Sequence, residues 1–333
     1  MYRSISCFLI LVLLITLCAV AQKPKILGET QYFQFHTNYW FNLHHFLQLE
    51  ALLQETQDST LISSEQLARL NETEREELDA AVAFYREQLL KEDLRMSPYQ
   101  SSFKEWISQQ EDGVLQSPPE SMLTHVKVLE SVSPLYKTYI WPKHKSTIHQ
   151  HLESQLAGIQ QMEHKVAKLL EELTLAYWQR ERIRVDVCYY GKSTSWNLRN
   201  RPYTSTDPTH VVMNVDGEEN EPYGNWLELL FHEASHHLIG ANTGFVAGTI
   251  KDVCRVRGAK TPRGLWHAYL FYFSGKVVQN ELPSLGINDY QLYMQRNGVF
   301  RRYFPLLELH LPLYMSGEKT LAEVTAAIVN GLE

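Results

Sequence analysis

Cysteine is scarce in this chain: four residues in 333, with no Cys-x-x-Cys pair. A thiolate zinc finger is thereby excluded. Positive charge is short as well, with 31 Lys and Arg against 38 Asp and Glu and a formal net charge of −7. Neither nucleic acid nor an anionic membrane surface would find a basic field to bind. Long apolar runs are confined to the N-terminus, and elsewhere none approaches the roughly 18 consecutive residues of a membrane span. Internal repeats and low-complexity tracts are missing too.

The N-terminus holds Arg3, an apolar run from Cys7 to Leu17, and Ala19-Val20-Ala21 before Gln22. These features describe a secretory signal peptide over residues 1–21, cut after Ala21. A lipid anchor at Cys18 is the rival, disfavoured because Leu17 is bulky where such processing wants a small residue. The mature chain is therefore expected to be exported, secreted or periplasmic, without stable membrane insertion. Once Cys7 and Cys18 have left with the leader, Cys188 and Cys254 are free to form one disulfide or to remain two buried thiols.

From Asn38 to about Trp178 the apolar residues follow helical periods. An aromatic-rich helix opens at Tyr39-Trp40-Phe41, a charged amphipathic helix runs from Glu72 to about Lys91, and a long one runs from about Ser146 to Tyr177. Pro98, Gly113, Pro118-Pro119, Pro134 and Pro142 read as punctuation between them. The pattern changes near residue 180. Ile183 to Tyr190 alternates as a half-buried strand does, and Val211 to Val215 is a second β-rich run. Lys192 to Pro208 reads as a polar, turn-rich connection. The expected fold is mainly α with a small β-sheet: an N-terminal helical region over 22–180 joined to an α+β region over 181–333 that ends in further helices.

One segment carries chemistry. Asn225 to Ile239 is a helix-length apolar-striped run closed by Gly240, and it contains His232-Glu233-Ala234-Ser235-His236. Residues four apart on a helix are displaced by about 40° around its axis, so both imidazoles can reach one zinc ion from the same face. Glu233, on the neighbouring edge, is placed to polarise a zinc-bound water. A catalytic zinc site usually has three protein ligands, so a third must come from elsewhere. His267 ranks first, because an imidazole inside the apolar run Trp266 to Phe273 needs a partner. Asp252 and Glu281 are the alternatives.

Other residues enter as secondary candidates. Tyr272, Tyr290 and Tyr293 are potential oxyanion donors. On the first helix one of His44 and His45 is expected to face inward and the other outward. His149, His151 and His164 read as solvated, His237 as pointing away from the metal, and Glu228 as an exposed helical carboxylate rather than a support for the site.

Strand, turn, strand and a helix bearing His232-Glu233-x-x-His236 resemble the zincin superfamily of metallopeptidases, as in thermolysin-like enzymes, over residues 183–281. The resemblance implies that His232 and His236 bind zinc and that Glu233 is general base and proton shuttle. Ile239 and Asn242 stand where metzincins carry glycine and a third histidine, and only Asn280-Glu281 matches the gluzincin glutamate stretch. A three-histidine variant follows if His267 is the ligand. The leading expectation is thus an exported Zn2+-dependent hydrolase acting on a peptide or small molecule. The alternatives are a non-catalytic zinc- or ligand-binding protein on the same scaffold, and a helical interaction protein.

Overall fold

A mixed five-stranded sheet gathers segments from distant parts of the chain. The computed structural model describes residues 26–56, 59–91, 97–194, 197–206 and 209–332. The expected signal peptide, with Cys7 and Cys18, lies outside them. Strands β1 (Ile26–Glu29) and β2 (Phe33–His36) form an antiparallel pair. β2 then lies parallel to β3 (Ile183–Cys188), and β3 parallel to β7 (Thr209–Asn214). β6 (Tyr203–Thr206) closes the order β1-β2-β3-β7-β6 as an antiparallel edge strand. Between β3 and β6 a separate hairpin pairs β4 (Lys192–Thr194) with β5 (Asn197–Arg201). The stretch read as a polar, turn-rich connection therefore holds three short strands. An edge strand and a hairpin need no continuous apolar face, so their polar residues hide them from a hydrophobic pattern.

The sheet also joins the two sides of residue 180, since β1 and β2 precede the helical region and pair with β3 beyond it. At four residues each they are too short to set up a readable alternation. α1 (Tyr39–Thr56) covers one face of the sheet, where Phe41 meets His210 at 6.3 Å and His45 bonds Tyr203. Against the other face, Phe33 packs on Phe231 at 5.5 Å and Phe35 on Trp226 at 6.4 Å, both rings borne by α7 (Asn225–Ala234).

After α2 (Ser64–Arg69), helices α3 (Glu72–Phe84), α4 (Pro98–Ser108) and α5 (Leu123–Leu135) pack around α1. α1 is consequently buried on all sides, with 14 of its 18 residues inside. His44 and His45 both face inward, and the expectation that one points to solvent fails for that reason. The long helix α6 spans Trp141–Thr174, five residues earlier at its start than the pattern suggested. Pro142 occupies its first turn, where a missing N–H costs nothing. Pro98 likewise opens α4 behind the N-cap Ser97, and Pro134 lies inside α5 just before a π-helical turn. Three prolines read as breaks are thus parts of helices.

After α7 come α8 (Gly244–Arg257), α9 (Leu265–Glu281), α10 (Tyr293–Arg296), α11 (Phe304–Met315) and α12 (Leu321–Asn330). Cys188 on β3 and Cys254 on α8 are buried free thiols. No described helix is long and apolar enough to cross a membrane.

Candidate metal centre

α7 is α-helical only as far as Ala234, after which Ser235–His237 tighten into a 3-10 turn, short of the expected end at Ile239. The last carbonyls of a helix lack internal partners, and here side chains supply them. Ser235 Oγ donates to Phe231 O at 2.5 Å, Thr204 Oγ1 on β6 to Glu233 O at 2.9 Å, and His237 Nδ1 to Ala234 O at 2.6 Å. This set of bonds fixes the turn that carries His236. The His232 and His236 rings lie 5.1 Å apart, and His237 is committed to the helix end and to Trp178 at 5.0 Å.

α9 packs across α7 and brings in His267 from its first turn. His267 Nε2 stands 3.2 Å from His232 Nε2, and its ring centroid is 5.0 Å from that of His236. One ring nitrogen from each of His232, His236 and His267 lies within 4.8 Å of the others, a group that could hold a metal ion. Two nitrogens each about 2.0–2.1 Å from a tetrahedral ion are about 3.3 Å apart, which the His232–His267 spacing matches. Burial, then the neighbouring His236 and His267, hold the His232 pKa well below its ordinary value. The ring is therefore neutral, as a metal ligand must be. Ser274 Oγ donates to Leu270 O at 2.8 Å and lies 3.5 Å from His232 Nδ1, which leaves Nε2 on the side of the other two rings. Phe271 stacks on the His232 ring at 3.6 Å.

Glu233 sits at the margin of this group, its Oε2 3.7 Å from His236 Nε2 and its side chain 10 % exposed. A buried ammonium bears on it. Lys104 on α4 donates to Ser205 Oγ at 2.6 Å and lies over the Tyr203 ring at 5.2 Å. Burial pulls its pKa down to about 8, against the opposing fields of Asp186, Glu105 and Glu233. Behind it Asp186 binds Arg184 at 2.7 Å and His210 at 2.5 Å. No pattern in the sequence marks Lys104, which resembles any surface lysine of an amphipathic helix.

The remaining candidates fall elsewhere. Glu281 pairs with Lys165 at 2.7 Å, 14 residues and about 21 Å along α9 from His267. Asp252 is exposed and pairs with Arg255 at 3.1 Å. His44 joins Tyr85 at 2.9 Å, and the same hydroxyl meets His125 at 2.8 Å, away from the metal group. His151, read as solvated, is half-buried against Trp226 at 5.2 Å because α6 packs on α7; His164 is exposed beside the Tyr32 hydroxyl. Tyr272 lies about 140° around α9 from His267, beneath Lys276. Tyr293 is nearer, its ring 6.0 Å from Phe271.

Glu228 departs furthest from its reading as an exposed carboxylate. It is fully buried, accepting from Tyr290 OH at 2.5 Å and from the Tyr293 amide at 2.8 Å. α7 has no solvent face, since α9 and the segment approaching α10 cover the side that would otherwise have one. Burial raises the Glu228 pKa to about 7, although its two hydrogen bonds pull the other way. Its contacts tie the segment before α10 to the helix that carries His232.

Beyond α10, Phe300 adopts a left-handed backbone with φ 54°. For a bulky residue that conformation costs about 1–3 kcal/mol and persists only where the surroundings enforce it. Its ring lies 5.4 Å from His267 and 6.0 Å from Phe271. Comparison with known family models, curated proteins and solved structures finds no match to this chain.

Proposed function

We propose that the chain is an exported zinc-dependent hydrolase, a metallopeptidase of zincin-like plan, with His232, His236 and His267 as ligands and Glu233 as proton acceptor. The observation that carries this reading is the convergence of three imidazoles from two helices, with a shielded carboxylate 3.7 Å from one of them. Zinc suits the donor set, since three neutral imidazoles leave a fourth, open position. When bound, zinc would lower the pKa of a coordinated water towards about 7 and polarise a carbonyl.

The chain's own groups supply the rest. Glu233 takes the proton of the attacking water at its carboxylate and returns it to the departing amine. Lys104, buried and within electrostatic reach of Glu233, places a cationic side chain near that carboxylate. β6 pairs on one side only within its sheet, and Thr204 fixes it against the Glu233 carbonyl. Export rests on the leader-like N-terminus, and the net charge of −7 offers no basic field to draw in nucleic acid.

Purified protein should carry one zinc per chain by elemental analysis. His267→Ala should weaken zinc retention by more than about 100-fold, the upper range for merely supporting residues. A wild-type preparation that takes up no stoichiometric zinc from a buffered supply would end the proposal. Unchanged affinity in His267→Ala would remove that residue from the ligand set.

A further inference from the structure

We infer that Phe300 is a positioning residue for the third ligand: its strained backbone holds an aromatic ring against His267 and so fixes the orientation in which that imidazole meets His232 and His236. The inference rests on the metal reading above and goes beyond it.

His232 and His236 share one rigid segment whose end is tied down by Thr204, Ser235 and His237. His267 comes from another helix, half-buried in the first turn of α9. Besides the two histidines, rings that touch it include Trp266 at 4.9 Å, Phe271 at 5.0 Å and Phe300 at 5.4 Å. Trp266 and Phe271 belong to α9 itself and move with it. Phe300 alone among these comes from outside the helix, and its interplanar angle of 68° presents an edge-to-face contact.

The backbone supports the same assignment. Residue 300 turns the chain between α10 and α11, its carbonyl accepting from the Tyr303 amide at 2.7 Å and the Phe304 amide at 3.1 Å. Glycine makes a turn with positive φ without strain, yet the position carries one of the bulkiest side chains. Gly264, the N-cap of α9, leaves room for the ring: a Cβ there would stand 3.2 Å from Phe300 Cε1. Tyr303 OH donates to Arg263 O at 2.8 Å, anchoring the turn to the start of the same helix. The strained turn, the glycine seat and the anchor all bring the ring to the element that carries His267. A ligand whose orientation depends on such support loses about 10–100-fold in metal affinity when the support is removed.

The test uses the full mature chain, with zinc affinity read by competition against a chromophoric chelator and ligand geometry read from the visible bands of the cobalt-substituted protein. Phe300→Gly removes the ring and relieves the backbone. Zinc affinity should fall by about 10-fold or more and the cobalt bands should weaken, while the metal-free protein still melts cooperatively. Phe300→Tyr keeps the ring and should bind zinc within about twofold of wild type. Phe300→Asn, which tolerates the left-handed region, gives a second ring-free variant should the glycine chain fail to fold. Ring-free variants that bind zinc as tightly as wild type overturn the inference and leave the metal site standing. A wild-type chain that binds no zinc overturns both. Inactive protein that nonetheless shows the Phe300 dependence leaves the inference intact and removes only the hydrolase reading.

Discussion

Glu233→Gln should abolish peptide turnover while leaving zinc in place. The amide has nearly the shape of the carboxylate but cannot accept a proton at neutral pH, so the variant removes one chemical property and little packing. General acid–base catalysis by a positioned side chain contributes about 10²–10⁴-fold, or about 3–5 kcal/mol of barrier. The upper part of that range is expected here, because the side chain is only 10 % exposed and sits 3.7 Å from His236 Nε2. Solvent cannot readily replace it. Turnover of a mixed peptide library, followed by mass spectrometry alongside zinc content, separates the outcomes. Wild-type turnover in a zinc-loaded Glu233→Gln chain would remove Glu233 as the base. Loss of zinc along with activity would instead show that its main effect is on the ligands.

Legibility in the sequence follows the range over which each feature is determined. The pair His232 and His236 is set by spacing within one helical turn, so it could be read directly, even though the turn proved to be 3-10 rather than α. His267 could be inferred because a lone imidazole in an apolar helix needs a partner and the motif needed a donor. Lys104, Glu228 and Phe300 could not. Their burial arises where α4 meets β6, where α9 covers α7, and where the α10–α11 turn folds back on α9. Local sequence carries no trace of such contacts. The long helices were visible through their period, whereas Pro142 obscured the start of α6 because its position within the first turn depends on where that turn begins. β1 and β2 escaped notice for want of length, and with them the connection across residue 180.

The buried histidines make acid the condition under which the metal-free fold should fail. Burial lowers the pKa of His45 to about 4 and those of His125 and His144 to about 3, while His44 and His232 are lowered well below their ordinary value by burial and neighbouring histidines. An unfolded chain titrates histidine near 6.5. The folded values lie below the unfolded one, so between them the unfolded state binds more protons and stability falls as pH falls. The loss begins below about pH 6.5 and is complete only beneath the folded values. At about pH 5 His45, His125 and His144 each cost about 2 kcal/mol, about 6 together, and His44 and His232 act in the same direction. Two carboxylates oppose them. Burial raises Glu218 and Glu228 to about 7, so each destabilises the fold at neutral pH and relaxes as the pH drops towards 4.5. That relief is worth about 2 kcal/mol for each carboxylate between pH 7 and 5, and it is nearly exhausted below pH 4.5. The histidine cost continues to grow. Against a net stability of about 5–15 kcal/mol, the balance places cooperative unfolding between about pH 5 and 4. Tryptophan fluorescence and far-UV circular dichroism of the metal-free protein should change together across that interval. His144→Gln, which gains no proton there, should move the midpoint to lower pH. A native signal in both probes at pH 3.5 would contradict the burial of these imidazoles in neutral form.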